Sequence, residues 1–397
     1  MTNAQTHVPP ELTLTADDIL GNARALGPWL REQAGAIEDA RQLPEEVVTR
    51  LREAGVFRMN MPRSWDGPEM TPMEQNRVIE EVSRASGSAG WCTMIGADSG
   101  LYSAYLDQSI AREMFPRLDM IMAGFVYPVG RAEQVDGGYR VNGRWPFGSG
   151  CTHADWLAGG CLLYEDGRPA MGADQRPVWR VVIATPAEYV IHDTWRTTGL
   201  RGTGSHDYEA KDLFVPGEHT FSFTEPAQRP TTLYRKPDTF LRKMAGIPLG
   251  IARDAIDYVV GQARKKFDMP AMVPYGEVPR VQWAVADAEM MLGSARAYVF
   301  DSLEAQWARL EAGEEPTKEE RAAVFLARMA AFQTSRQAVR LMYDTIGGSA
   351  IYADKTPLDR HLRDASTACQ HLMGQAKIRE WAGELLLTGS CDDAPFL

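Results

Sequence analysis

At 397 residues, with 44% apolar and 24% charged side chains, the chain has the makeup of a globular enzyme built from more than one packed unit. Its formal net charge of −11 argues against a nucleic acid or an anionic membrane as partner, and no apolar run is long enough to cross a bilayer. The first residues lack a basic stretch followed by an apolar core, so a cytoplasmic location is expected by default. Scattered cysteines at 92, 151, 161, 369 and 391 and dispersed histidines have neither disulfide-framework nor metal-ligand spacing, and no protein-held metal is expected.

Residues 1–12 read as a disordered arm, with Asp17 or Asp18 as the cap of a first helix. Over 13–117 the apolar period is helical: Leu20, Ala23, Leu26, Trp29 and Leu30 recur every three or four residues, and LPEEVVTRLREAGVF repeats the pattern between Pro44 and Gly55. A break of small residues at Ser86–Gly90 divides the next helical stretch. From 118 to 216 the pattern changes to short β-branched and aromatic runs, separated by turn signals such as Asp136-Gly137-Gly138 and Asn142-Gly143. Residues 217–238 are polar and proline-bearing, a connecting loop. Long amphipathic helices then occupy 239–390, as in a bundle. Strands gathered between two helical blocks give an α+β fold.

Four stretches stand out chemically. The first, Gly143 to Cys151, is a strand ending in Gly148-Ser149-Gly150, where a sharp turn can present a hydroxyl and backbone N–H groups; read locally it is equally a hairpin end with aromatic anchors. The second, Arg201-Gly-Thr203-Gly-Ser205, lacks dinucleotide and P-loop spacing and taken alone is a tight loop. The third, Arg264-Lys265-Lys266-Phe267, taken alone is a solvated helix face. The fourth opens with Gly347-Gly348, where backbone can approach a ligand closely. Pro357 then starts a helix predicted to run through His371, with Leu362, Ala365, Cys369 and Leu372 as its apolar stripe.

Taken together, LPEEVVTRLREAGVF…WDGPEMTP, SGSAGWC, WxFxSGCxHAxW, GLRGTGS followed by FVP, RKKF, and GGSAIY…PLDRHLRD resemble the acyl-CoA dehydrogenase superfamily. The second, third and fourth of these resemble its branch of flavin-dependent monooxygenases, the oxygenase components of two-component systems. The resemblance implies an N-terminal helical domain, a central β-domain and a C-terminal helical bundle, with flavin between the last two and a homotetrameric assembly. It places Ser149 near flavin N5, where its hydroxyl would hold a C4a-hydroperoxyflavin, with Trp145 and Phe147 as dry walls. Thr203 and Ser205 become flavin contacts. Arg264 becomes a phosphate anchor across a subunit interface and Phe267 an adenine platform, although Asp268 and Pro279 stand where the dehydrogenase pattern has Gly and Gln. Trp91, Asp98 and Leu372 become substrate-side residues. Asp98 occupies the place of a His common in the oxygenase branch, and Leu372 that of the dehydrogenases' catalytic Glu. His371 would orient or deprotonate the substrate. The implied reaction uses reduced flavin (FMNH2 or FADH2), delivered by a separate NAD(P)H:flavin reductase, and O2 to hydroxylate a small aromatic or heteroaromatic substrate. The alternatives are an FAD-dependent acyl-CoA dehydrogenase, or N- or S-oxygenation on the same fold.

Overall fold

The computed structural model describes residues 13–269, 271–391 and 394; the arm expected over 1–12 lies outside them. Helices α1 (Ala16–Glu32), α2 (Ala34–Ala40), α3 (Glu45–Glu53), α4 (Pro72–Ala85), α5 (Gly87–Gly96), α6 (Ser99–Tyr105) and α7 (Gln108–Met114) form the first block. The cap of α1 is Thr15, not an aspartate: its hydroxyl accepts from the Asp18 N–H while the Asp18 carboxylate reaches back to the Thr15 N–H. Thr71 caps α4 in the same reciprocal way, and Ser86, in extended conformation, both ends α4 and caps α5.

Strands β1 (Met122–Val135), β2 (Gly138–Gly148), β3 (Trp156–Glu165), β4 (Arg168–Pro169), β5 (Trp179–Ala184), β6 (Val190–His192), β7 (His206–Pro216) and β8 (Thr220–Phe221) follow. They order as β6-β7-β2-β1-β3-β5-β8, with β4 on β3; β1 and β3 run parallel and the other pairs antiparallel. Strand β8 lies inside the segment expected to be only a connecting loop. Of the two expected turns, Asp136-Gly137 does link β1 to β2. Asn142-Gly143 instead lies within β2, at a shift in its register with β7, where the Asn142 side chain accepts the Asp212 N–H (2.9 Å).

Alternation along β3 and β5 sends Ala158, Val181 and Ile183 toward α6 and α7, into a core with Leu101, Tyr102 and Phe115. Leu157, Cys161, Val182 and Ala184 point to the opposite side, with Trp145 and Tyr208. The third block holds α8 (Thr239–Arg242), α9 (Gly246–Gln262), the hairpin of β9 (Phe267–Asp268) and β10 (Val273–Pro274), then α10 (Pro279–Glu311), α11 (Lys318–Ile346), α12 (Leu358–Ala368) and α13 (Lys377–Thr388). Helices α9, α10 and α11 pack on one another, and α9 and α10 on α4, so the largest apolar core is shared by the first and third blocks.

Candidate active site

Four side chains from three segments form a continuous hydrogen-bonded chain. The Trp91 indole N–H on α5 donates to Ser149 Oγ (3.0 Å); Ser149 Oγ lies 2.7 Å from Ser205 Oγ, which lies 2.6 Å from Thr203 Oγ1; and Thr203 donates to the Leu200 carbonyl (2.9 Å). An indole nitrogen can only donate and a carbonyl can only accept, so the two ends fix the direction of the whole chain. Each hydroxyl passes its proton's hydrogen bond toward Leu200, and Ser149 keeps one lone pair uncommitted. All four side chains are buried. The two loops that carry the hydroxyls are tied by the Gly150 N–H on the Thr203 carbonyl (2.9 Å).

His371 closes one side, its ring 5.7 Å from that of Trp91 at 66°. The helix expected to carry it stops early. Helix α12 ends at Ala368, and His371 stands in extended conformation (φ −61°, ψ 139°), capping a short turn at Leu372–Gly374. Its Nδ1 accepts the Met373 N–H (3.3 Å), so the neutral ring carries its proton on Nε2. Burial, with the Arg328 guanidinium adding to it, pushes the imidazole down to about 4, and the ring is neutral at physiological pH. Leu372 is partly exposed and leaves the apolar stripe, because the chain has already turned.

Helix α12 also sets the hydroxyl loop. The Asp364 carboxylate accepts the Leu200 N–H (2.6 Å) and Arg363 donates to the Thr198 carbonyl (2.7 Å). Leu200 sits at φ +49°, a left-handed conformation that a leucine adopts at a cost and holds here through its amide and carbonyl contacts. Between these anchors Gly199 passes so close to α12 that a Cβ would lie 2.1 Å from the Arg363 carbonyl. Burial pushes Asp364 up to about 6. The Arg363-Asp364 pair was visible in the sequence as a family motif; its role in fixing the loop needed the fold.

Other expected site residues fall elsewhere. Trp145 is no cofactor wall: it is fully buried in the β-domain core, stacked on Tyr208 (5.5 Å, 17°), with its indole N–H on the Gly160 carbonyl (2.8 Å). Gly130, Gly143 and Gly159 floor its seat; a Cβ on Gly130 would stand 2.3 Å from the indole. Strict alternation would put Phe147 on the same side as Trp145. Phe147, however, has φ +59° at a register shift, which turns it outward. It is 60% exposed and, with Phe125 (6.2 Å) and Trp195 (6.4 Å), makes an aromatic ledge beside Ser149. The rings lie at 44° and 85° to one another and so present apolar faces and edges rather than a flat platform. With the buried hydroxyls beside them they could line one side of a planar ring with a hydrogen-bonding edge, as in an isoalloxazine. Asp98 is not a free acceptor: it is buried, ion-paired with Lys243 and hydrogen-bonded by Asn60 (3.0 Å). Arg264, Phe267, Gly347 and Gly348 are all exposed. Lys266 ties their two segments together, donating to the Ile346 carbonyl (2.5 Å) and to Ser349 Oγ (3.0 Å).

Residues 28–113 match the family model of the acyl-CoA dehydrogenase N-terminal domain and residues 243–376 that of its C-terminal domain. A flavin-dependent monooxygenase, oxygenase subunit HsaA, of Rhodococcus jostii is 31% identical over 360 residues, covering 87% of this chain and 92% of that protein. The chain belongs to the flavin-dependent monooxygenases of the acyl-CoA dehydrogenase family. An indole-3-acetate monooxygenase of Pseudomonas putida is 30% identical over 344 residues, 86% of each chain. Among solved structures, the HsaA monooxygenase of M. tuberculosis superposes with a TM-score of 0.85 at 27% identity, over 94% of this chain and 98% of that one. Membership in this family accounts for the three-block order of the fold.

Proposed function

We propose that this protein is the oxygenase component of a two-component flavin-dependent monooxygenase that hydroxylates a small aromatic or heteroaromatic substrate. Its reduced flavin, FMNH2 or FADH2, would come from a separate NAD(P)H:flavin reductase. Relatives described as oxygenase subunits or components support this, including a FADH2-dependent resorcinol hydroxylase of a Rhizobium strain, 28% identical over 391 residues. The observation that carries the reading is the one-directional hydrogen-bond chain from Trp91 to Leu200 with His371 beside it.

When bound, reduced flavin supplies the two electrons with which one atom of O2 is transferred to the substrate and the other leaves as water. The protein's own contribution starts at Ser149. Its hydroxyl proton is committed to Ser205, so toward a flavin it offers only a lone pair, an acceptor suited to the N5–H. Holding that proton in a dry pocket suppresses loss of the activated oxygen as H2O2. Phe125, Phe147 and Trp195 would provide apolar walls beside the flavin, and Thr203 and Ser205 hold Ser149 in place. With its Nδ1 occupied and its ring neutral, His371 presents Nε2–H to an oxygen acceptor on the substrate, which favours orienting over deprotonating. Arg264, Phe267, Gly347 and Gly348 are assigned to a flavin held by a neighbouring subunit of a cytoplasmic homotetramer.

The test supplies reduced FMN or FAD with a flavin reductase and 18O2, offers phenols and indoles, and measures labelled product against H2O2. Labelled hydroxylated product is expected. Bleaching of bound FAD by acyl-CoA under anaerobic conditions, with no labelled product, would overturn the reading.

A further inference from the structure

Helix α11 holds the turn that carries His371 at several points. Gln333 donates its amide N–H to the Gly374 carbonyl, and its own Oε1 is fixed by the Arg336 guanidinium (2.7 Å). Arg328 donates to Met373 Sδ (3.2 Å) and to the Leu241 carbonyl on α8 (3.0 Å). Phe332, one turn after Arg328, accepts the Cys369 thiol at its carbonyl (3.3 Å), and its ring backs Gly374, where a Cβ would stand 3.2 Å away.

Arg328 is only 3% exposed, and no carboxylate among the described residues accepts from it. Asp238, whose charge reaches it, gives both oxygens to Arg242 (2.6 and 3.0 Å). Arg328 Nε has no hydrogen-bond partner, and the Phe325 ring, 4.4 Å from the guanidinium carbon, offsets only part of the lost hydration. Burial pulls Arg328 down to about 10, still far above neutrality, so the charge persists. A buried cation without a counter-ion destabilises a fold, and an apolar side chain of similar volume would avoid that cost. The cost points to a task.

The task lies in the turn that Arg328 faces. His371 Nδ1 accepts the Met373 N–H (3.3 Å), a bond that only the neutral ring can make. Protonation would set two N–H groups against each other and open the turn. Burial, and after it the Arg328 charge, push that protonation down to about 4. The other charged groups on the elements around the turn are engaged elsewhere. Helix α5 carries none; Asp364 on α12 takes the Leu200 N–H; Arg336 on α11 holds Gln333; on α13, Lys377 pairs with Glu380 and Arg379 is exposed.

We propose that Arg328 is a positioning residue for His371: with Gln333 it clamps the Leu372–Gly374 turn to α11 and preserves the bond from the Met373 N–H to Nδ1, which leaves Nε2–H for the substrate. The inference rests on the oxygenase reading for what Nε2–H does, and adds the residue that keeps it available.

The test pairs NMR of the histidine Cε1–H signals with turnover under 18O2, on wild type, Arg328→Met, Arg328→Lys and Gln333→Leu. The His371 signal is identified by its loss in His371→Ala. In the wild type it should stay at its neutral position from about pH 8 down to about pH 5. In Arg328→Met its titration should move up by about one pH unit or more, the size of effect a neighbouring charge exerts. Labelled product should fall by about tenfold in that variant, with O2 consumption kept and the difference appearing as H2O2. Arg328→Lys, which restores the charge but not the planar fork, should return the titration to its wild-type position and recover part of the product. Gln333→Leu should lower product and leave the titration unmoved. A His371 signal that titrates at about pH 6.5 in the wild type overturns the proposal even if no variant folds. So does an Arg328→Met protein with either an unmoved titration or wild-type product. Labelled product from a wild type whose His371 titrates at about pH 6.5 leaves the oxygenase standing without the clamp. A titration moved by Arg328→Met, with no labelled product from wild type on any phenol or indole, keeps the clamp and removes the oxygenase.

Discussion

Replacing Lys243 by Met tests how the buried charges are balanced. Lys243 has no exposed surface and pairs with Asp98, whose carboxyl is pushed from 3.8 up to about 6, burial outweighing the nearby ammonium. Because the folded carboxyl binds its proton more tightly than the unfolded one, native protein carries an extra proton between about pH 4 and 6. The contribution of Asp98 to stability therefore falls as pH rises across that window and levels off above it. Without Lys243 the carboxyl has no cation to favour ionisation, and it stays protonated well above pH 6. Stability then keeps falling by about 1.4 kcal/mol per pH unit, which amounts to about 2 kcal/mol relative to wild type at about pH 7.5. The assay is urea unfolding of wild type, Lys243→Met and the double variant Asp98→Asn/Lys243→Met between about pH 6 and 8.5, at one protein concentration. The single variant should diverge from wild type as pH rises, and the double variant should run parallel to it. A loss in Lys243→Met that does not vary with pH would refute the argument, since it would mean that Asp98 stays ionised without its partner.

Trp145→Ala should cost about 3–5 kcal/mol in unfolding free energy, as an emptied core seat, while the folded fraction binds flavin with wild-type affinity. Ser149→Ala removes the acceptor and the link to Ser205; with reductase and substrate present, the H2O2 share of consumed O2 should rise by about tenfold, and Trp91 fluorescence should shift as its indole N–H loses its partner. His371→Ala should keep O2 consumption and lose product. In the wild type, with its imidazole pushed down to about 4, product formation should show no inflection near pH 6.5, and stability should decline on acidification from about pH 6.5, where the unfolded histidine takes its proton first. Arg264→Ala should weaken flavin binding by about tenfold without lowering the unfolding midpoint of the subunit.

The block order could be read from the sequence because the apolar period switches from helical to alternating near residue 119 and back near 239. The Thr203–Ser205 loop drew attention only through the family resemblance of GLRGTGS, since taken alone its spacing marks no more than a tight turn. Errors arose where one residue broke a period. Phe147 enters the left-handed region and faces away from Trp145, so two aromatics that the resemblance grouped as one wall are, in the fold, one exposed and one fully buried. The apolar period through Leu362, Ala365, Cys369 and Leu372 outlives the helix, which ends at Ala368. The buried charges could not be read at all, because Asp98 meets Lys243 across 145 positions and Arg31 meets Asp254 across 223. No local pattern encodes such pairings.

Helix α12 anchors itself through Arg360 and Arg363 to Glu38 and through His361 to Asp254, grips the hydroxyl loop with Asp364, and releases the chain that carries His371. Its two functional ends therefore differ in how freely they can vary. The loop side is pinned by a carboxylate and a strained backbone, whereas the residues after Ala368 are held to α11, by Arg328 on Met373 Sδ and by Gln333 on the Gly374 carbonyl. With the roles proposed above, insertions or deletions between Cys369 and Gln375 would shift His371 relative to α11 and leave the Ser149–Ser205–Thr203 hydroxyls in place. Paralogues that attack a different ring position are thus expected to differ in the length of this segment before they differ in the loop. A library of lengths over this segment is expected to change regiochemistry if His371 orients the substrate as proposed, and product analysis with 18O2 would show it.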